Sequence, residues 1–267
     1  MTATTLLARG RRYVVEGLGY GTEGAIHVDG APAGPDDLAA IRSALVAGAL
    51  CNDAHLRVED GRPGLVGDPT EGALVVLAAK GGIDPEGIRH ELTRTGEVPF
   101  DSSTKFMATL HPHPDDPARS LVVVKGAPDV VMARCATVVD DSGPVAIDAD
   151  RRARLLDQNH ELGSEGLRVL ALAIAELPIA AGEYEGDLSA ELTDLQLEAL
   201  VGIKTPDGRP ATLVMAGGGP DFEKFKSEIS ALGLSQRVNL LGVQPARKVL
   251  PQGRIAVVPS LAESLPY

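Results

Sequence analysis

At 267 residues the chain is long enough for one large domain or two smaller ones, and its 44% hydrophobic content suffices for a core. Aromatics make up only 3% and tryptophan is absent, so Val, Leu, Ile and Ala must fill that core. The net charge of −12 is uneven: residues 204–267 hold eight Lys/Arg against five Asp/Glu, which leaves −15 on residues 1–203. An acidic surface of that size disfavours a nucleic-acid partner. No 18-residue apolar run occurs, so no membrane insertion of this chain is expected. Cys51 and Cys135 form no metal-spacing pattern, so no metal site is expected. The N-terminal MTATTLLARGRRY lacks the apolar core of a signal peptide, and a reduced cytoplasmic setting is the simplest expectation.

In chain order, Arg12–Glu16 and Ala25–Asp29 flank GLGYGTEG and predict a hairpin. Leu38, Ile41, Leu45 and Ala49 recur at helical spacing and predict one helix over 36–51. Asp68-Pro69-Thr70-Glu71 is a helix start, with Asp68 as N-cap, Pro69 at N1 and Glu71 placed to close a capping box; Gly81 and Gly82 end the helix. Lys105–Leu110 and Ser120–Lys125 read as strands joined by a polar loop. Pro128–Arg134 and Arg151–Leu162 read as helices, and Arg168–Ala175 as a buried strand. From Lys204 the rhythm changes. Strands at Ala211–Ala216, Val238–Leu241 and Arg254–Val258 alternate with helices at Asp221–Leu232 and Ala246–Leu250, which predicts a parallel sheet. The fold class expected is α/β: an α+β domain over 1–203 with a mostly antiparallel sheet, then a partial doubly wound parallel unit over 204–267.

Six short motifs stand in order across the first segment: LCND (50–53), GDPTEGAL (67–74), VPFDSSTKFM (98–107), KGAPDVVMARC (125–135), GLRVLALA (166–173) and LVGI (200–203). From about Tyr13 to Ile203 the chain resembles the nucleotide-binding (N) domain of type II cation-transporting P-type ATPases. The resemblance implies ATP, as Mg-ATP, for a ligand. It assigns adenine stacking to Phe100 and the amine contact to Glu71. Lys105, Lys125 and Arg168 match its cationic positions, Gly126 lets the chain pass close to the ligand, and Met107 and Leu170 line the base pocket. Val169 stands where relatives often carry Cys. Taken singly, these residues have plainer readings. Phe100 could fill a core, Glu71 could serve only as a capping-box acid, Lys125 could end a strand in solvent, and Arg168 could form a surface ion pair. The phosphorylated aspartate of the resembled family lies in DKTGT, a string that does not occur here, so no catalytic residue and no aspartyl-phosphate chemistry is expected.

After LVGI the sequence departs from that pattern. LVMAGGGP (213–220), LGLSQRVNLLG (232–242) and IAVVPSLAESLPY (255–267) resemble the nucleotide-sugar domain of retaining GT-B glycosyltransferases. There the donor sits at the carboxyl ends of parallel strands, and a glycine-rich turn permits close backbone approach. The resemblance marks Gly218, Gly219 and Glu263 as donor-sugar candidates. The second Glu of its paired-carboxylate motif would fall four residues beyond Tyr267. Three functions follow as expectations: an ATP-binding module, a nucleotide-sugar-binding fragment, or a chimera of the two without native activity.

Overall fold

The computed structural model describes residues 1–59, 62–205, 213–235 and 237–249, and the chain divides into two compact units, Met1–Gly208 and Arg209–Tyr267. In the first unit the elements run β1 (Thr2–Ala8), β2 (Arg11–Val15), β3 (Ile26–Val28), β4 (Ala31–Pro32), α1 (Pro35–Ala40), α2 (Arg42–Leu50), β5 (His55–Glu59), β6 (Arg62–Val66), α3 (Pro69–Lys80), α4 (Pro85–Glu91) and β7 (Gly96–Val98). They continue with β8 (Phe106–Pro112), β9 (Ser120–Gly126), α5 (Pro128–Met132), β10 (Cys135–Asp140), β11 (Gly143–Ala146), α6 (Ala149–Ser164), β12 (Arg168–Leu177) and β13 (Leu195–Lys204). Eleven strands form one sheet in the order β4-β3-β2-β1-β13-β12-β9-β8-β7, with β10 and β11 attached beside β13. Every pairing is antiparallel except β10 with β13. The mixed α/β class, with a mostly antiparallel sheet in this unit, matches the sequence expectation.

Side chains alternate across the sheet, so each face buries its own apolar set. One face packs Leu6, Tyr13, Met107, Leu172 and Val201 under Leu45, Leu50 and Leu74 of α2 and α3. The other packs Leu110, Val124, Leu197 and Leu200 under Met132 of α5 and Leu162 of α6. As the composition requires, aliphatic residues do most of the filling.

The expected hairpin forms, with Tyr13 opposite Val28 and Val15 opposite Ile26. The single helix expected over 36–51 does not. Ile41 leaves helical geometry (φ −101°, ψ 4°) and serves as the C-cap of α1 and the N-cap of α2. The two halves answer to different partners. Asp37 of α1 accepts from Arg11 of β2 at 2.7 Å and from the Gly34 amide at 3.0 Å, and α1 buries no residue. In α2, Ala44, Leu45, Ala47, Ala49 and Leu50 are all drawn into the core.

His111 on β8 shows how the fold handles a buried titratable group. It is 1% exposed; Nδ1 lies 2.8 Å from the Leu92 carbonyl and Nε2 2.8 Å from the Thr109 hydroxyl. A carbonyl only accepts, so Nδ1 carries the proton and neutral Nε2 accepts from Thr109. Burial, reinforced by Arg94 and partly offset by the Leu92 bond, lowers its pKa from 6.5 to about 4.

In the second unit, β14 (Leu213–Met215) and β15 (Val238–Leu240) pair in parallel, with α7 (Phe222–Ala231) between them and α8 (Ala246–Val249) after. The strand expected at Arg254–Val258, the last residue of the helix expected at Ala246–Leu250, and Glu263 lie outside the described residues. None of the described residues in 213–249 is buried, and Leu213, Phe225, Leu232 and Val243 are exposed.

Two measurements test this description. Parallel strands without cover open easily. Amide exchange is therefore expected to be faster across Leu213–Met215 and Val238–Leu240 than across Val169–Ala173; equal protection would contradict it. For His111 the unfolded chain takes up the proton at higher pH than the folded one. Its stabilising effect is complete above about pH 6.5 and is lost as pH falls toward about 4, a change of about 3 kcal/mol. Urea unfolding between pH 7 and 4 should show this slope, and His111→Gln should flatten it.

Candidate functional site: the α3 N-terminus against β8, β9 and β12

Asp68 caps α3 as expected, its Oδ1 accepting from the Thr70 amide at 2.7 Å and the Glu71 amide at 3.2 Å. Burial opposes its charge, but these bonds and the charge of Arg168 outweigh that and hold its pKa below the usual carboxylate value. The reciprocal arm of the capping box is not made. Glu71 turns its carboxylate away from the cap: Oε2 accepts from the Asp53 amide at 3.1 Å, and Oε1 pairs with Lys125 Nζ. The buried ammonium of Lys125, its side chain 6% exposed, draws the carboxylate across the gap between helix and sheet. Lys125 is thus no solvated strand end.

Register explains the neighbours. Lys125 on β9 stands opposite Met107 on β8 and opposite Leu172 on β12. Met107 is buried, and Leu170, two residues before Leu172, is half-buried against the same core. Arg168, at the start of β12, is exposed and reaches Thr70 Oγ1 at 3.4 Å. Glu71, Lys125, Met107, Leu170 and Arg168 therefore gather along one side of the sheet at the α3 N-terminus.

Phe100 and Lys105 lie on the loop joining β7 and β8. Phe100 is 59% exposed, so it is not a core filler. Asp101 folds this loop by accepting from the Ser103 and Thr104 amides, and Lys105 is exposed with φ +60°. Gly126 sits where no Cβ fits: one built there would lie 2.5 Å from the Lys105 carbonyl oxygen and 2.7 Å from Phe106 Cβ. The Ala127 amide donates to that same carbonyl at 2.9 Å. Glycine thus lets β9 close against the loop that carries Phe100 and Lys105.

Sequence reasoning passed over the support behind this cluster. Arg94 donates to Asp53 Oδ1 at 2.8 Å, to Glu97 at 2.7 Å and to the Asn52 carbonyl at 2.9 Å. Asn52 Nδ2 donates to the Glu71 carbonyl at 3.0 Å. LCND is legible as a motif, but its role of presenting the Asp53 amide to Glu71 depends on tertiary approach. Cys51 is buried, its thiol near the Met107 carbonyl at 3.5 Å, and burial pushes its pKa up. The site thus offers exposed cations, an exposed aromatic ring, an apolar floor and a half-buried carboxylate paired with a buried ammonium. Among the described residues no group of three or more His, Cys, Asp or Glu could hold a metal ion, and no helix is long and apolar enough to cross a membrane.

In the second unit, Gly218 and Gly219 lie in the turn after β14. They line a cavity of about 370 Å³ with Met215, Asp221, Phe222 and Phe225. The Gly217 amide bonds the Gly242 carbonyl at 2.8 Å, which ties the turn to the end of β15.

The family described as P-type ATPase, cytoplasmic domain N, matches residues 40–207, and Glycosyl transferases group 1 matches residues 191–267. The chain is 33% identical over 213 residues to a calcium-transporting ATPase of Bacillus subtilis, covering 79% of this chain and 24% of that protein. It is 40% identical over 184 residues to the probable cation-transporting ATPase F of Mycobacterium tuberculosis, 67% and 20% respectively. It is 32% identical over 247 residues to calcium-transporting ATPase type 2C member 1 of Mus musculus, 90% and 25%. The chain spans about a quarter of the length of these relatives.

The Lys125–Glu71 pair can be tested by stability alone. Removing one member of a buried pair strands the other charge. Glu71→Ala should therefore cost about 3 kcal/mol in urea unfolding, and adding Lys125→Met should restore most of it. Additive losses would show that the pair does not couple the helix to the sheet.

Proposed function

The chain belongs to the family of P-type ATPase cytoplasmic N domains, and from that premise we propose that residues 1–203 bind ATP. The observation that carries this reading is the convergence on one side of the sheet of Lys125, Glu71, Met107, Leu170 and Arg168, while Phe100 stands exposed with no core role. In this reading the adenine stacks on Phe100 over the apolar floor of Met107 and Leu170. The free edge of the Glu71 carboxylate accepts from the exocyclic amine. Lys105 and Arg168 meet the phosphates in solvent, where charge-assisted bonds orient them. Lys125 holds Glu71 in place and turns its remaining donors to the ligand. The pocket supplies binding and no covalent step, since none of these residues pairs a nucleophile with a base.

A second reading rests on the glycine turn of the other unit. Gly218 and Gly219 line a cavity at the carboxyl end of the parallel strand β14, the place where open α/β sheets take ligands. Residues 204–267 would there bind a nucleotide sugar. If neither ligand binds, the reading that remains is a chimera without native activity.

An ATP titration followed by assigned amide shifts separates the readings. ATP should shift residues around Phe100 and Lys125. A UDP-, GDP- or ADP-sugar that shifts only residues near Gly218 would favour the second. Phe100→Ala should weaken ATP by about 0.5–1.5 kcal/mol, roughly threefold to tenfold. Unchanged ATP affinity in both Phe100→Ala and Lys125→Ala would overturn the pocket.

A further inference from the structure

On the face of the sheet opposite Lys125, a cavity of about 500 Å³ opens between β1, β2, β10, β13 and α6. Its size is that of a small-molecule site. Its apolar surface comes from the half-buried Leu7 and Leu155, backed by the buried Leu162, Leu197 and Leu200. The helix over it buries little: of the sixteen residues of α6 Leu162 alone is buried, and Arg152 ties the helix to the Met132 and Cys135 carbonyls. Arg151, Arg154, Leu155, Gln158 and Glu161 recur at helical spacing along the side of α6 that lines the cavity.

Five arginines line this cavity, and they are not equivalent. Arg11 is committed to Asp29 and Asp37, each at 2.7 Å, and Arg12 clasps Glu165 with two bonds of 2.8 and 2.6 Å. The other three are underused. Among the described residues Arg9 makes one ion pair, to Asp141 at 3.9 Å, and lies near the charge of Glu198, from a tight turn in which Arg9 and Gly10 both have positive φ. Arg151 meets Asp140 at 3.4 Å, while its Nε is buried with no partner. Arg154 has no ion pair or hydrogen bond among the described residues. A guanidinium carries five donors, and a buried donor without an acceptor is costly. The carboxylates of Asp140, Glu161 and the buried Glu198, which faces Arg9, also line the cavity and offset part of the positive charge, so it suits one compact anionic head and not a chain of phosphates.

We infer that this cleft binds a small amphipathic anion, its carboxylate or phosphate-monoester head held by Arg9, Arg151 and Arg154 and its apolar body laid on the leucine floor. The site is separate from the proposed nucleotide pocket, because Leu7, Leu197 and Leu200 pack on the opposite side of the sheet from Met107 and Leu172.

The test is calorimetry of the full chain with dodecyl phosphate below its micellar concentration, beside inorganic phosphate and the uncharged dodecyl maltoside. Dodecyl phosphate should bind at least tenfold more tightly than either. Arg154→Glu alters an exposed side chain without a partner, so the fold should persist, and it should weaken dodecyl phosphate at least tenfold. Leu155→Asp should weaken it as well and leave ATP affinity unchanged. Binding to phosphatidic acid vesicles that depends on Arg154 would place the same head chemistry on a lipid; binding to the monomer alone would place it on a soluble amphiphile. Equal affinity for inorganic phosphate, unchanged binding in Arg154→Glu, or loss of dodecyl phosphate binding in Lys125→Ala would overturn the inference.

Discussion

The contact on which the first unit most depends is the ion pair between Lys125 and Glu71. It joins the middle of the sheet to the first turn of α3 across an otherwise apolar layer. A charge pair in that position stabilises only if further hydrogen bonds hold its carboxylate in place. The fold meets this demand in steps. The Glu71 carboxylate turns from the cap to Lys125; the Asp53 amide supplies a second donor to it; Arg94 fixes Asp53 and Asn52 in turn. The cluster at the α3 N-terminus is therefore over-determined by packing, which is what a preorganised binding site requires.

The strand β13 sets the limit of this unit. It pairs with β1 and β12 along its C-terminal half and with β10 and β12 along its N-terminal half. Both family matches claim residues 191–207, yet β13 spans Leu195–Lys204 in the middle of the large sheet. Leu195, Leu197, Leu200, Val201 and Ile203 are each 1% exposed or less. A strand held on both edges and buried on both faces has no pairing groups left for another sheet. The second unit begins after β13, and there the described residues hold a two-stranded parallel sheet.

Much of this was legible because local signals and tertiary context agree. Two apolar segments flanking GLGYGTEG marked the β2–β3 hairpin. Asp68-Pro69 marked the start of α3 to the residue, and apolar runs marked β8, β9 and β12 within two residues at each end. The misses share one cause. β1 and β13 are strands by virtue of mutual pairing between the two ends of the unit, Thr2 with Lys204 and Leu7 with Leu200, which no short window contains. The break at Ile41 arises because α1 follows Arg11 while α2 follows the core. Glu71 fits a capping box by spacing, and only the approach of Lys125, 54 residues away, explains why it declines that role. Gly126 was legible as a close-approach glycine, but the backbone it approaches belongs to Lys105.

The two faces of the sheet treat charge in opposite ways. Beside α3, the buried ammonium of Lys125 meets its carboxylate, so the charges there are balanced before any ligand arrives. Beside α6, Arg154 is unpaired among the described residues, Arg151 keeps a buried Nε without an acceptor, and the helix buries a single leucine. Packing explains the first arrangement, because a helix–sheet layer cannot close over an unpaired ion. It does not explain the second. Among the described residues these donors lie without partners beside the half-buried Leu7 and Leu155, in a cleft open to solvent. An anion with an apolar body would replace that solvent, satisfy the arginines and cover Leu7 and Leu155 in one step. That asymmetry, on a unit whose net charge is strongly negative, distinguishes the α6 cleft from an ordinary solvated surface.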